Sequence, residues 1–287
     1  ASDVYKRQMQ NYALSVKGGG KYSTYYNSVG YTNQDGVMKG TNYQRYTLQS
    51  KQDFKKGIFQ AGTNVVLTYD QSNPLYSVIR GGMVGHTLQA IPTWEQYDEN
   101  RTGGYGGLYG DVVNLTHPLG MVDDNLMKRY SDNVKIFANA YVSVELMKGL
   151  KYKLNLTPDF QFYRYNSYEG LFDFGLAKHD ITAVTEQQTR TRNILVENLL
   201  TFDRTFGDHK VSALVGYTYQ DSRYRYMQGS GQGMPTGITE IDAASQGLAV
   251  SGNSSRSVLT SILGRAFYSY KNRYLLTATI RRDGSSK

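Results

Sequence analysis

The stretch "NVKIFANAYVSVELMKGLKYKLNLTPDFQFY", residues 133–163, decides the fold. Its even positions run Val134, Ile136, Ala138, Ala140, Val142, Val144 and Leu146, apolar throughout, while the odd positions include Asn133, Lys135, Asn139, Ser143 and Glu145. Successive side chains of a strand point to opposite faces, so this is a strand with one greasy and one polar side. After Lys148-Gly149-Leu150 the pattern resumes: Tyr152, Leu154, Leu156, Pro158, Phe160 and Phe162 oppose Lys151, Lys153, Asn155, Thr157, Asp159 and Gln161. The two runs predict a hairpin of long alternating strands. Pro158 cannot donate to a ladder, which predicts a bulge there.

The same period-2 template fits about ten runs, near 11–17, 22–32, 42–54, 58–70, 133–147, 151–165, 190–205, 210–225, 257–270 and 274–284. The connections after the odd-numbered runs are short: "GGGK", "KKG", "KGL", "FGDH" and "KNR". Between them fall the longer segments 33–41, 71–132, 166–189 and 226–256. Short turns at one end and long loops at the other are the pattern of transmembrane barrels. The expected fold is therefore all-β: an antiparallel up-and-down transmembrane β-barrel with about ten strands in this sequence.

Composition agrees with this. The 287 residues include 26 Tyr, 10 Phe, 1 Trp and 30 Gly but only 5 Pro, a set suited to strands and tight turns. There is no Cys, which excludes disulfides and thiolate metal sites. The four histidines, His86, His117, His179 and His209, never stand at metal-ligand spacing and read as loop and turn residues. The formal charge of +8 is spread over single Lys and Arg residues without a basic run, and no nucleic-acid motif accompanies it. No run of 18 apolar residues exists for a spanning helix, a criterion that barrel strands escape. The mean hydropathy of -0.52 decides nothing for the same reason. Residues 1–8, "ASDVYKRQ", resemble a transposon-type sequencing adaptor read as protein; we expect them to be non-native, and residues 9–287 to be the barrel.

A soluble β-sandwich also alternates. Against it stand strands longer than the usual ~5–6 residues. The apolar faces also hold no Lys or Arg at mid-strand, where one would cost about 2–4 kcal/mol in lipid. Aromatics near strand ends, Tyr152 and Tyr274 on the turn side and Tyr163, Tyr165, Tyr224 and Tyr226 toward the loops, are expected to form interfacial girdles.

Two stretches bear a family likeness. "NRYLLTATIRRDGSSK", 272–287, and "NYALSVKGGGKYSTYYNSVGYTNQDGVMKGTNYQRYTL", 11–48, resemble the SusC/RagA family of TonB-dependent outer-membrane transporters, and "THPLG", 116–120, does so faintly, with His117 where Asn is expected. The resemblance implies a barrel of about 22 strands around an N-terminal plug, of which this chain would be a fragment without plug or closing strands. It also implies an outer-membrane location in a Gram-negative bacterium, contact with membrane lipid, and import of oligosaccharides or peptides. The implied partners are a SusD-like surface lipoprotein and, through the plug, the TonB-ExbB-ExbD complex. A passive porin or adhesin barrel and a soluble carbohydrate-binding domain are the other readings.

No catalytic or phosphate-binding signature is present, so neither an enzyme nor a cofactor is expected. Within the long loop, Trp94, Tyr97, Tyr105 and Tyr109 offer flat faces for sugar rings, with Asp98, Glu99, Asn100 and Arg101 as polar neighbours. Alternatively, these aromatics pack the loop against its surroundings. Lys135, Glu145, Lys153, Asp159, Glu197 and Asp203, all on polar strand faces, are expected to line a wet lumen or meet the plug.

Overall fold

The computed structural model describes residues 7–74, 82–107 and 115–287, apart from the side chain of residue 83. Twelve strands are present: β1 (Met9–Gly19), β2 (Ser23–Asp35), β3 (Asn42–Lys56), β4 (Phe59–Ser72), β5 (Met127–Met147), β6 (Leu150–Glu169), β7 (Phe172–Asp173), β8 (Lys178–His179), β9 (Ala183–Phe206), β10 (His209–Gln232), β11 (Gln246–Tyr270) and β12 (Tyr274–Ser285). Ten of them form one antiparallel sheet in the order β1-β2-β3-β4-β5-β6-β9-β10-β11-β12, each strand beside its sequence neighbour; β7 and β8 make a two-stranded hairpin of their own. This is an up-and-down barrel wall, open between β1 and β12. A short helix, α1 (Gly82–Gln89), lies in the longest loop.

All ten expected runs are strands of the wall. On the loop side several extend further than the sequence pattern shows: β9 begins at Ala183 and β11 at Gln246. There Gln, Thr, Ser, Asn and Gly interrupt the apolar face, as in "TEQQT" (185–189) and "SGNSS" (251–255), so alternation is lost while ladder hydrogen bonding continues. The turns at the other end are two or three residues long. Gly57, Gly149 and Gly207 take them at φ of +60°, +85° and +58°, where a Cβ is penalised. Lys271 and Asn272 adopt φ of 52° in the last one.

The expected bulge at Pro158 is absent. Pairing of β5 with β6 lapses between Phe137–Asp159 and Ala140–Leu156 and resumes in the same register, while Pro158 stays opposite Ile194 on β9. The missing N–H is absorbed by opening one side of the ladder, not by inserting a residue. The register shift in this pair falls instead at Glu145/Met147, beside the turn.

Register assigns every side chain to a face, since directly opposed residues in an antiparallel pair share one. One face carries Leu14, Val29, Leu48, Leu67, Ile136, Val142, Leu154, Leu156, Val196, Leu200, Val215, Ile262 and Ile280. Nearly all of these are exposed, among them Leu14 (73%), Val142 (50%), Val215 (57%) and Ile280 (76%). The buried hydrophobics of the described residues, Leu115, Met121, Leu126, Met127, Tyr168, Phe172, Phe174, Val184 and Met234, all lie in the loops or at the loop-side strand ends. A sandwich would bury its apolar faces against each other; this sheet leaves its own uncovered.

The girdle expectation needs one correction. Tyr163, Tyr165, Tyr224 and Tyr226 fall on the polar face, because Tyr163 opposes Asn133 and Tyr224 opposes Thr191. Nearness to a strand end does not determine the face; parity does. On the apolar face a tyrosine row crosses four strands instead: Tyr12, Tyr31, Tyr46 and Tyr69 are directly opposed, with ring centroids 6.3, 5.0 and 6.4 Å apart. Within the lower apolar belt, Asn198 accepts a hydrogen bond from the Tyr152 hydroxyl at 2.7 Å.

Val142→Arg, in the full-length protein that contains this wall, is expected to lower folding stability in lipid vesicles by about 2–4 kcal/mol, whereas Ser143→Arg on the other face costs little. Urea titrations of the vesicle-folded variants measure both; equal losses would contradict the assignment of faces.

Candidate functional site: the loop dome and the polar wall

The long loops are not loose. The segment between β4 and β5 packs against the β7–β8 loop, joined by backbone hydrogen bonds Asp173 N to Thr102 O (2.8 Å) and Gly170 N to Leu126 O (2.7 Å). Met121, Leu126, Met127, Phe172 and Phe174 form its core, with Tyr105 against it. Phe174 is fully buried and stacks on Phe172 at 4.5 Å. A second core closes the β10–β11 loop: Tyr168, Val184 and Met234, with Ile241 and Ala244 packed on them. There the Tyr168 hydroxyl accepts the Gly237 N–H (2.9 Å), and the Thr182 hydroxyl donates to the Met234 carbonyl (2.6 Å).

The sequence-selected residues mostly fall within this dome. Trp94 meets His117 edge-on at 4.8 Å and donates its indole N–H to the Gly106 carbonyl at 3.0 Å. A Cβ on Gly106 would collide with the Glu95 carbonyl, so only glycine permits this approach. Tyr105 lies between His117 (5.2 Å) and Phe174 (6.2 Å), and its hydroxyl donates to Asp123 at 2.9 Å. Arg101, whose side chain is 11% exposed, bridges Asp98 (3.3 Å) and Asp173 (3.1 Å) and so ties the two loops together. Tyr97 touches Tyr105 at 5.6 Å yet stays 64% exposed. Tyr109 lies outside the described residues. The dome thus uses Trp94, Tyr105 and Arg101 in its own packing and leaves Tyr97, beside exposed Glu99 and Asn100, as the outward aromatic.

Burial pushes the His117 imidazole below its ordinary value, partly offset by the Glu95 backbone. Burial, then the hydrogen bond to Asp123, pushes the Tyr105 hydroxyl up to about 12. His86 is buried too and accepts the Thr116 N–H at 2.9 Å. The contributions of Phe172 and Phe174 are absent from the sequence reading; the alternating aromatics of "LFDFG", 171–175, are the local signal for them.

The six charged wall residues lie on one face, opposite Gln161 (Lys135), Lys151 (Glu145), Ser143 (Lys153), Asn193 (Asp159), Asn155 (Glu197) and Ser212 (Asp203). A hydrogen-bonded chain runs across this face: Asn139 donates to Asn155 (2.8 Å), and Asn155 donates to Glu197 (2.8 Å). Tyr141 donates to Asp53 (2.7 Å) beneath the Lys153 ammonium, 4.4 Å from its ring. Further round, the same face becomes apolar, with Leu195 and Leu199 (β9), Leu214 (β10) and Leu263 (β11) around Gly216. Among the described residues no cluster of three His, Asp or Glu could hold a metal.

Comparison with known proteins agrees with this wall. No family model matches the chain. It is 29% identical to TonB-dependent receptor P3 of Formosa agariphila over 97% of its length and 28% of the receptor's. To TonB-dependent receptor SusC of Bacteroides thetaiotaomicron it is 24% identical, over 96% of the chain and 29% of SusC. The RagAB peptide transporter structure superposes with a TM-score of 0.81 at 17% identity, covering 97% of this chain and 32% of that one. BauA, the ferric preacinetobactin receptor of Acinetobacter baumannii, follows at a TM-score of 0.55 and 10% identity, over 98% of this chain and 41% of its own. The chain thus spans less than a third of the curated relatives it matches. By fold and by these relatives, the chain resembles a stretch of TonB-dependent receptor barrel. Its particular kinship is to the SusC/RagA type, as its own sequence suggested.

Two outcomes test the dome. Phe174→Ala is expected to cost about 3–5 kcal/mol of local stability, read as rapid proteolysis within 90–126 and 170–182 while the strands stay protected. Because the folded pKa of His117 is depressed, its contribution is complete above the unfolded value near 6.5 and lost as pH falls below it. The protection factors of amides in 115–126, each referenced to the intrinsic exchange rate at that pH, should therefore fall from pH 7.5 to pH 5, and His117→Phe should abolish that fall.

Proposed function

We propose that this segment is wall and dome of an outer-membrane, TonB-dependent importer of bulky nutrients, oligosaccharides or peptides, in a Gram-negative bacterium. The observation that carries the reading is the ten-stranded sheet whose apolar face has no protein cover. Lipid is the solvent that satisfies such a face while leaving a polar one wet. The polar face, with Lys135, Glu145, Lys153, Asp159, Glu197 and Asp203, is then the lumen wall. Its apolar sector around Leu199 and Leu263 is the surface on which an N-terminal plug would lean, and the plug would pass on energy from TonB-ExbB-ExbD.

The dome stands at the long-loop, outward end. There a SusD-like surface lipoprotein would close over the barrel and pass cargo inward, as the kinship to SusC and RagAB suggests. With Trp94, Tyr105 and Arg101 engaged in packing, contact with cargo or lipoprotein falls to Tyr97, Glu99 and Asn100. The open edges of β1 and β12 would pair with further strands of a larger barrel. Residues 1–8 are proposed to be foreign to it.

The test is uptake by cells expressing the full-length protein. Growth on one oligosaccharide or peptide source should require both this gene and TonB, and an uncoupler should stop uptake. Uptake that persists without TonB would replace the importer with a passive porin; recovery of the protein as a soluble monomer would overturn the membrane reading.

A further inference from the structure

Above the apolar belt, the lipid-side face carries an unusual concentration of arginine. On β6, β9, β10 and β11 stand Arg164, Arg190, Arg192, Arg223, Arg225 and Arg256, with Asp221 and Glu186 the carboxylates of the same face and Asp132 a third from β5. Register sets them in two adjacent rows. Arg192, Arg223 and Arg256 are directly opposed across three strands, next to Phe160. One step outward, Arg190 and Arg225 are directly opposed, next to Phe162. Directly opposed like charges are destabilising, so these rows call for anions.

The protein supplies one. Asp221, its side chain 8% exposed, receives Arg256 at 3.0 Å, Arg223 at 3.2 Å and Arg192 at 3.6 Å. It lies on the belt side of the three guanidiniums, level with Ile194 and Val258, while the arginines are 38–53% exposed. One carboxylate among three guanidiniums leaves two positive charges, and the buried Nε of Arg192 has no partner. The second row has no carboxylate of its own: among the described residues none bonds Arg190 or Arg225, and Arg190 rests over the Phe162 ring at 5.6 Å. Beside it opens a cleft of about 460 Å³. Val134, Phe162 and Met227 line one part and Arg164, Arg190 and Arg225 the other, with Arg164 held by Asp132 at 2.8 Å.

The height of these rows selects the occupant. From Arg192 to Phe202 at the belt's foot is ten residues, about 25 Å of height at ~3.3 Å per residue and ~40° tilt, the thickness of a barrel's apolar band. The guanidiniums therefore stand where acyl chains give way to headgroups. Forked guanidinium donors match phosphate oxygens two by two, and the apolar lining of the cleft suits the adjoining acyl chain. We propose that the Arg190–Arg225 row and the Asp221 triad form a binding site for the phosphate groups of an outer-leaflet phosphorylated glycolipid. This rests on the membrane reading given above.

The experiment extracts the full-length protein from outer membranes in mild detergent and counts retained lipid A by native mass spectrometry, beside a phosphate-free lipid A analogue added as competitor. Retention of bisphosphorylated lipid A is expected, falling about tenfold in Arg190→Gln/Arg225→Gln, unchanged in lumen-side Lys135→Gln, and not displaced by the phosphate-free analogue. Heat-dependent gel mobility establishes that the variants fold; should the double variant misfold, competition between the two lipids on the unaltered protein decides alone. Equal retention by the variant, or equal binding of the phosphate-free lipid, would overturn this site while leaving the barrel intact. Absence of the protein from the membrane fraction would remove both.

Discussion

The structure depends on a mismatch between the two faces of one sheet. A strand set with Val, Leu and Ile on one side, and Lys, Glu and Asn on the other, must place the first side out of water. No second sheet or helix layer covers it among the described residues. At roughly 25 cal/mol per Å² of apolar surface, leaving so many half-exposed aliphatic side chains in water is untenable for a fold of marginal stability. The other features follow: neighbour-only pairing, a tyrosine row across β1 to β4, and a charged zone that begins where the belt ends.

Protein-only packing is confined to the loops. The dome is where aromatic rings meet face and edge, where His86 and His117 are buried, and where Arg101 joins two loops through paired carboxylates. The molecule therefore has two kinds of interior. One is a conventional hydrophobic core around Phe174; the other is shared between the wall and its surroundings. The RagAB transporter structure shares the wall's architecture at 17% identity, as expected when a pattern of alternation, more than any particular residue, specifies the sheet.

How much was legible follows from this division. The ten strands could be read because a sheet with one apolar and one polar face imposes a strict period of two, as in Val134 to Leu146. The strand extensions of β9 and β11 could not, since above the belt nothing enforces alternation. Pro158 was misread because a ladder can open locally without inserting a residue. Tyr163 and Tyr224 were misplaced by counting distance along the strand instead of parity. The dome was only partly legible: Trp94 and Tyr105 stood out as aromatics, but their meeting with His117 and Phe174 joins distant segments that no local period connects. The arginine rows were hidden for a similar reason. Arg190, Arg223 and Arg256 are ordinary single residues until register sets them side by side.

The lengths of the connections also order the assembly of the wall. Turns of two or three residues let β3 and β4, β5 and β6, β9 and β10, and β11 and β12 zip as hairpins at little entropic cost. The pairing of β4 with β5 must instead close the whole 73–126 segment, an extra ~2–3 kcal/mol of chain entropy before the dome has formed. Chain entropy thus divides the sheet into two units, β1–β4 and β5–β12, whose shared seam carries the largest closure cost. The seam lies directly beneath the dome, so the packing of Phe174 and its neighbours acts as a clasp that shortens the effective loop and holds two half-walls together.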